Sequence, residues 1–306
     1  VGGMVSLEIW EKKESSRTIK VAAIQHSADT WKGGYSTYKE NFENLKALTL
    51  EAMEAEPDIV VWSETAFVPS VAWHSAYPNN VATSKLCNDF VSFCSNIGVP
   101  LITGNPEGGI KDKELAPILE SGEWNWKTYN TVILFADGGI QGTYRKQHLV
   151  PFTEYFPYEE ELPWLYELLL ANDYKWWEVG EEATVFEYNG LKFSTPICFE
   201  DTFGALNAEF VAKGAEVLLN LSNDFWSQAL QAELQHYQLA VFRAVENRKP
   251  LLRSTNSGIT CMVDVRGKTY GILPPFEKAW GIYEMELYED QGLTFYTRHP
   301  DLFGKL

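Results

Sequence analysis

Positive charge is scarce in this chain: 25 Lys and Arg stand against 42 Asp and Glu in 306 residues, a formal charge of −17. Such a balance repels phosphate backbones and argues against nucleic acid as a partner. Cysteine is sparse too. The four, Cys87, Cys94, Cys198 and Cys261, form no C-x-x-C pair and have no short-spaced His, which argues against a zinc site or a dense disulfide framework. Long apolar runs are missing: the nearest, 162–171, is broken by Pro163 and Glu167 and falls short of the ~20 residues that span a bilayer. No basic segment followed by an apolar one opens the chain, so no signal peptide is expected.

What is present is ordinary globular material, with 45% hydrophobic and 22% charged residues. The aromatic load is heavy, with 11 Trp, 17 Phe and 15 Tyr, which serves either thick core packing or apolar surface near a ligand. The residues before Met4 read as a cloning remnant, or the whole as a piece cut from a longer protein. Residues 1–17 are taken as an N-terminal extension and 18–306 as a single domain, since no low-complexity linker or short repeat divides them.

The patterning alternates strands and helices. Thr18 to Gln25 is β-rich, and Tyr38, Phe42, Leu45, Leu48 and Ala52 then recur at helical spacing. The run Ile59 to Trp62 reads as a strand, Leu86, Phe90, Phe93 and Ile97 as a helix, and Leu101 to Thr103 as a strand. Cys87 and Cys94 fall within that helix and read as small core residues. Gly108 to Lys127 reads as a surface excursion, and Tyr129 to Lys146 as a hairpin turning at Asp137-Gly138-Gly139. A second series follows: strand 191–197, helix 201–213, strand 217–221 and a helix over 229–247. In that last helix Leu230, Leu234, Tyr237, Val241 and Val245 are expected to form the buried stripe. The series predicts an α/β fold of two sheets covered by helices.

Three polar side chains stand at separate strand ends. Cys198 lies between a strand and a helix, on the kind of turn that displays nucleophiles and where backbone N–H groups favour a thiolate. Glu64 ends the apolar strand 59–62, facing the usual ligand crevice of an α/β sheet. Lys146 ends the strand 140–146. Taken singly, they also read as a core filler, a loop acid and a surface cation. Taken together, they supply the base, oxyanion donor and nucleophile that acyl transfer through a thiol requires.

The stretches VVWSET around Glu64, YRKQHLVPFTEYFP around Lys146 and PICFED around Cys198 resemble the three signatures of the nitrilase superfamily. Within it, LVPFTEYFP, LLNLSNDFW at 218–226 and QHYQLAVFRAVENRKPLLRSTNSGIT at 235–260 are most similar to the apolipoprotein N-acyltransferase family. The resemblance implies a four-layer α-β-β-α sandwich. It also implies Glu64 as base, Lys146 as oxyanion donor, Glu154 as a carboxylate supporting the Lys, and Cys198 as nucleophile, with neither metal nor cofactor. Glu200 matches an acidic position of the acyltransferases, and Phe199 stands where they usually carry Tyr.

The expected acyl donor is a phospholipid, the acceptor is the N-terminal amine of a diacylglyceryl-cysteine lipoprotein, and a membrane surface is the expected partner. The apolar segment 162–170 with Trp164, the pair Trp176-Trp177, and Phe67, Val68, Trp73, Phe225 and Trp226 are candidates for contact with the acyl chain. Segment 162–170 reads equally as a helix packed on the domain. The membrane helices that flank this domain in the acyltransferases are missing from the sequence. An excised domain would work on the periplasmic side of the bacterial inner membrane. A stand-alone carbon–nitrogen hydrolase, using the same three residues on a small amide, would work in the cytoplasm. A catalytically silent domain that binds lipid or protein through its aromatic surface is the third reading.

Overall fold

The computed structural model describes residues 15–115, 125–172, 174, 176–288 and 292–302. Strand β1 (Arg17–Gln25) sends Val21 and Ala23 into one core and Ala22 and Ile24 into another. A strand apolar on both faces belongs inside a layered fold, because its period of two leaves no side for water. Helix α1 (Tyr35–Met53), strand β2 (Ile59–Val61), helices α2 (Val71–Ala76) and α3 (Val81–Asn96) and strand β3 (Leu101–Gly104) come next. Strands β4 (Glu107–Ile110) and β5 (Trp126–Tyr129) pair as a small ribbon, and β6 (Thr131–Ala136) and β7 (Gly139–Arg145) form the expected hairpin. Asp137 and Gly138 both adopt positive φ at its tip (49° and 79°), the two-residue turn that matches strand twist.

The second half runs through helix α4 (Pro163–Ala171), strands β8 (Phe186–Tyr188) and β9 (Leu191–Ser194), a 3₁₀ turn at Cys198–Thr202, and helix α5 (Gly204–Ala212). It continues with β10 (Val217–Ser222), α6 (Leu230–Asn247), β11 (Leu251–Thr255), β12 (Cys261–Val263), β13 (Thr269–Tyr270), β14 (Ala279–Leu287) and α7 (Phe295–Arg298). Two six-stranded sheets result, ordered β14-β1-β2-β3-β6-β7 and β13-β12-β11-β10-β9-β8. Strand β14 returns to pair antiparallel with β1 from Arg17–Leu287 to Gln25–Ala279, closing the edge of the first sheet.

The layers follow from the two cores. Phe42, Leu45 and Ala52 of α1 and Leu86 and Phe90 of α3 pack on Ala22, Ile24, Val60 and Leu101, the outer face of the first sheet. Cys87 and Cys94 are buried in that layer. Val21, Ala23, Ile59 and Val61, on its inner face, join Leu219, Leu221 and Leu252 of the second sheet and Leu206, Phe210, Tyr237, Ala240 and Ala244 of α5 and α6. Ser254 of β11 donates from its hydroxyl to the Val61 carbonyl across the sheet interface (3.1 Å). The architecture is a four-layer α-β-β-α sandwich. No helix among the described residues is long and apolar enough to cross a membrane.

Three sequence expectations are corrected. In α6, Leu230 and Leu234 are each 44% exposed, and the buried stripe is Glu233, Tyr237, Ala240, Ala244 and Asn247, with Arg243 beside it. The small Ala240 and Ala244 allow close approach to the sheet, and the charges are tolerated inside because each has a partner. Glu233 accepts from the Ser227 hydroxyl, and Arg243 donates to the Thr202 carbonyl and to Glu246. The helix expected over 201–213 is two pieces, broken at Phe203, whose backbone is extended. The excursion after Gly108 ends in paired strands, with 116–124 outside the described residues.

Candidate active site

Glu64 follows β2 on a turn wedged against the end of β3. Gly104 donates to the Ser63 carbonyl (3.1 Å), and a Cβ at Gly104 would stand 2.3 Å from the Thr65 nitrogen and 2.8 Å from the Glu64 Cα. Backbone atoms cannot yield as a flexible side chain can, so only glycine permits this approach. Gly104→Ala is therefore expected to cost about 1–3 kcal/mol, read as a lower urea midpoint at unchanged slope. An unchanged midpoint would show that the Glu64 turn is not wedged there.

Lys146 leaves β7 with its backbone fixed at both ends: its N–H donates to the Asn130 carbonyl (2.9 Å), and Gly180 N–H donates to its carbonyl (2.7 Å). Its buried Nζ lies 2.8 Å from Glu154 Oε1 and 3.5 Å from Glu64 Oε1. Asn130 Nδ2 donates to the same two oxygens, at 2.7 Å to Glu64 and 3.2 Å to Glu154, while Val150 N–H donates to Glu154 Oε2 (2.8 Å). Burial raises the Glu64 pKa, Lys146 opposes the rise, and Glu154 adds to it. Burial alone would lower the Lys146 pKa, but the charges of Glu64 and Glu154 overcome it and keep the ammonium protonated.

Cys198 opens the 3₁₀ turn at φ 48°, in the left-handed region that non-glycine residues rarely occupy. The turn is held from both sides. Asn220 Nδ2 donates to the carbonyls of Pro196 (3.1 Å) and Cys198 (3.3 Å). Glu200, fully buried, accepts from Ile197 N–H (2.7 Å), Gln147 N–H (2.6 Å), His148 N–H (3.1 Å) and the Tyr144 hydroxyl (2.8 Å). One carboxylate thus ties the segment after Lys146 to the turn bearing Cys198. Burial pushes the Glu200 pKa up to about 7 against the pull of those backbone donors and of Lys146. Of the four cysteines, Cys198 alone is partly exposed. Burial and the Glu64 charge raise its pKa well above the usual value while Lys146 pulls it down, so the resting group is a thiol within the field of both.

A second constellation escaped the sequence reading. His236 of α6 bridges Asp224 (Nδ1 to Oδ1, 3.0 Å) and Asp201 (Nε2 to Oδ1, 3.0 Å), and Arg253 of β11 pairs with the same two carboxylates. Among the described residues, Cys198, Asp224 and His236 are the one His, Cys and carboxylate group whose donor atoms, all within 4.8 Å of one another, have the spacing of metal ligands. Both His236 nitrogens already face carboxylates, so the set is satisfied without an ion. The available signal was Arg253, a lone cation inside the apolar strand β11. Asn130 was missed too.

The expected contact residues separate. Phe67, 1% exposed, stacks on Phe90 with centroids 4.1 Å apart in the outer helix–sheet core, so it is structural rather than part of a pocket wall. Trp73 is also buried, edge-on to Trp126. Phe199 is half-buried against Phe203, and Val68 and Phe225 are half-buried. Trp226 is 79% exposed, on a loop joined to the Glu64 turn by Asn223 Nδ2 donating to Thr65 Oγ1 (3.1 Å). Trp177 is tied to Glu154 through its N–H (2.9 Å to the carbonyl) and meets Trp31 edge-on. Trp164 is 66% exposed on α4, a helix that buries none of its residues.

Residues 20–289 match the model of the carbon-nitrogen hydrolase family. The chain belongs to that family. As a carbon-nitrogen hydrolase family member it is 40% identical over 295 residues to apolipoprotein N-acyltransferase 1 of Treponema denticola, covering 94% of this chain and 54% of that protein. It is 31% identical to the apolipoprotein N-acyltransferase of Geobacter metallireducens, covering 95% and 52%. The chain thus spans about half the length of these curated relatives. Its fold matches that of a Nesterenkonia amidase of the nitrilase superfamily, with a TM-score of 0.62 at 17% identity over 90% of this chain and 92% of that one.

Proposed function

We propose that this domain moves an acyl chain from a phospholipid, through a thioester on Cys198, to the N-terminal amine of a diacylglyceryl-cysteine lipoprotein. Glu64 takes the thiol proton as Cys198 attacks the ester carbonyl, and Lys146 Nζ with the Phe199 N–H stabilises the tetrahedral oxyanion. Glu64 gives that proton to the departing lysophospholipid alcohol. The amine then attacks the thioester, Glu64 takes its proton, the amide forms, and the proton returns to the released sulfur.

The observation that carries this reading is the 40% identity to a named acyltransferase across 94% of the chain, a span that includes all three residues. The electrostatics are consistent with it. A resting thiol needs a base, a carboxylate with a raised pKa is a stronger base, and a buried ammonium kept charged by carboxylates is a preorganised donor. Helix α4 supports a lipid surface. With Trp164, Leu168 and Leu170 exposed beside Phe152 and Tyr174, it presents apolar area that acyl chains would cover, on the periplasmic face of the bacterial inner membrane. The family match favours a second reading, in which water resolves the acyl-enzyme and the donor is a small amide.

Incubation with phosphatidylethanolamine in detergent micelles should add one acyl group to the Cys198 peptide by mass spectrometry, discharged on adding a diacylglyceryl-cysteine peptide. Release of ammonia from simple amides, with no phospholipid-derived thioester, would transfer the assignment to the hydrolase.

A further inference from the structure

An ionised carboxylate only accepts hydrogen bonds, so a histidine with a carboxylate at each ring nitrogen carries a proton on both. His236 is in that position, 3.0 Å from Asp224 Oδ1 and 3.0 Å from Asp201 Oδ1. Arg253 holds the other oxygens of the same carboxylates, closing a ring of two anions and two cations. The ring joins four elements: Asp201 lies in the turn opened by Cys198, Asp224 just past β10, His236 in α6 and Arg253 in β11. The Cys198 sulfur, an Asp224 oxygen and a His236 nitrogen all lie within 4.8 Å of one another.

We propose that His236 is a positioning residue for Cys198, steadying the nucleophile turn through Asp201 and favouring the thiolate through its positive charge. This deepens the reading of Cys198 as nucleophile and rests on it. Arg253 already braces both carboxylates, so the mechanical tie is duplicated and the charge is what His236 adds. With His236 protonated the ring is neutral. Without that proton it carries a net negative charge beside a sulfur that already faces the anions of Glu64 and Asp224, with Lys146 as the opposing cation. Burial and Arg253 would lower the His236 pKa, but Asp201 and Asp224 prevail and place it at about 9. Glu233 also faces Asp224, and burial with that charge moves it to about 7, below the range in which His236 titrates.

The test is the rate of Cys198 alkylation by iodoacetamide from pH 7.5 to 10.5, followed on its own peptide by mass spectrometry, in wild type and His236→Gln. Attack requires thiolate, so a thiol in a constant field gains a decade in rate per pH unit below its pKa. The variant should follow that line, and at pH 8 should react about tenfold or more slowly than wild type, the effect of one nearby charge at intermediate dielectric. Wild type should rise less steeply through pH 9 as His236 loses its proton, so that the two lines converge near the top of the range. Equal rates at pH 8, or parallel lines, overturn the proposal. Should His236→Gln fail to fold, wild type alone decides, because a full decade per unit across pH 9 also overturns it. The readout needs no turnover, so failure here is distinct from failure of the nucleophile assignment, which Cys198→Ala tests.

Discussion

Cys198→Ala is expected to reduce acyl transfer by about 10⁴-fold or more while changing stability by no more than about 1 kcal/mol. The activity loss is large because, in the proposed reaction, the sulfur is the group acylated in the first half-reaction, and no second thiol can replace it. Cys87, Cys94 and Cys261 are all buried, and burial raises the pKa of each. The stability change is small because Cys198 is only half-buried and its turn is held by other groups. Asn220 holds the adjoining carbonyls, Glu200 holds Ile197 N–H, and Asp201 is paired with Arg253. Alanine keeps the Cβ that already tolerates φ 48°, so no new backbone strain arises. Turnover assays beside a thermal melt decide the matter: a folded variant that still transfers acyl chains removes Cys198 from the mechanism.

The dependence of that turn on distant partners shows why the sequence was legible only in part. Strand ends were readable, because an apolar run with period two stops where the sheet stops. Glu64, Lys146 and Cys198 each stand just past such an end, and the signatures around them extended the reading to Glu154 and Glu200. The order of alternating elements also carried the layering. The phase of α6 is hidden in the sequence, because its leucines mark a different stripe from the one that is buried, and that stripe carries small alanines and the charged Glu233 and Arg243. Those charges are buried only because Ser227, Thr202 and Glu246 meet them. The same blindness concealed Asp201, Asp224, His236 and Arg253. Arg253 lies 52 positions from Asp201 and 29 from Asp224, so no local window registers the neutralisation that makes its burial tolerable. Phe67 failed in the opposite direction: three residues from Glu64 it looked like pocket wall, yet the chain turns there and sends the ring to Phe90.

The buried cation between Glu64 and Glu154 gives the other large effect. Lys146→Met keeps most of the side-chain volume and removes the charge, so its consequences are electrostatic rather than those of a cavity. Glu64 Oε1 and Glu154 Oε1 would then share the Asn130 amide alone. Breaking a buried pair on one side typically costs about 3–5 kcal/mol, and losing an oxyanion donor about 10²–10³-fold in turnover. The stability cost should vary with pH in a fixed direction. Without the ammonium, the facing Glu154 charge raises the folded-state Glu64 pKa further above the ordinary value, beyond the rise that burial already gives it. Above that ordinary value the folded variant holds more protons than its unfolded chain, so its stability falls as pH rises. The deficit relative to wild type should be small near pH 5, where Glu64 keeps its proton, and should widen toward pH 8 as that proton is lost. Urea melts at the two pH values measure it. A deficit of equal size at both would mean that Lys146 does not hold Glu64 ionised, and the proposed base would need another source of its charge.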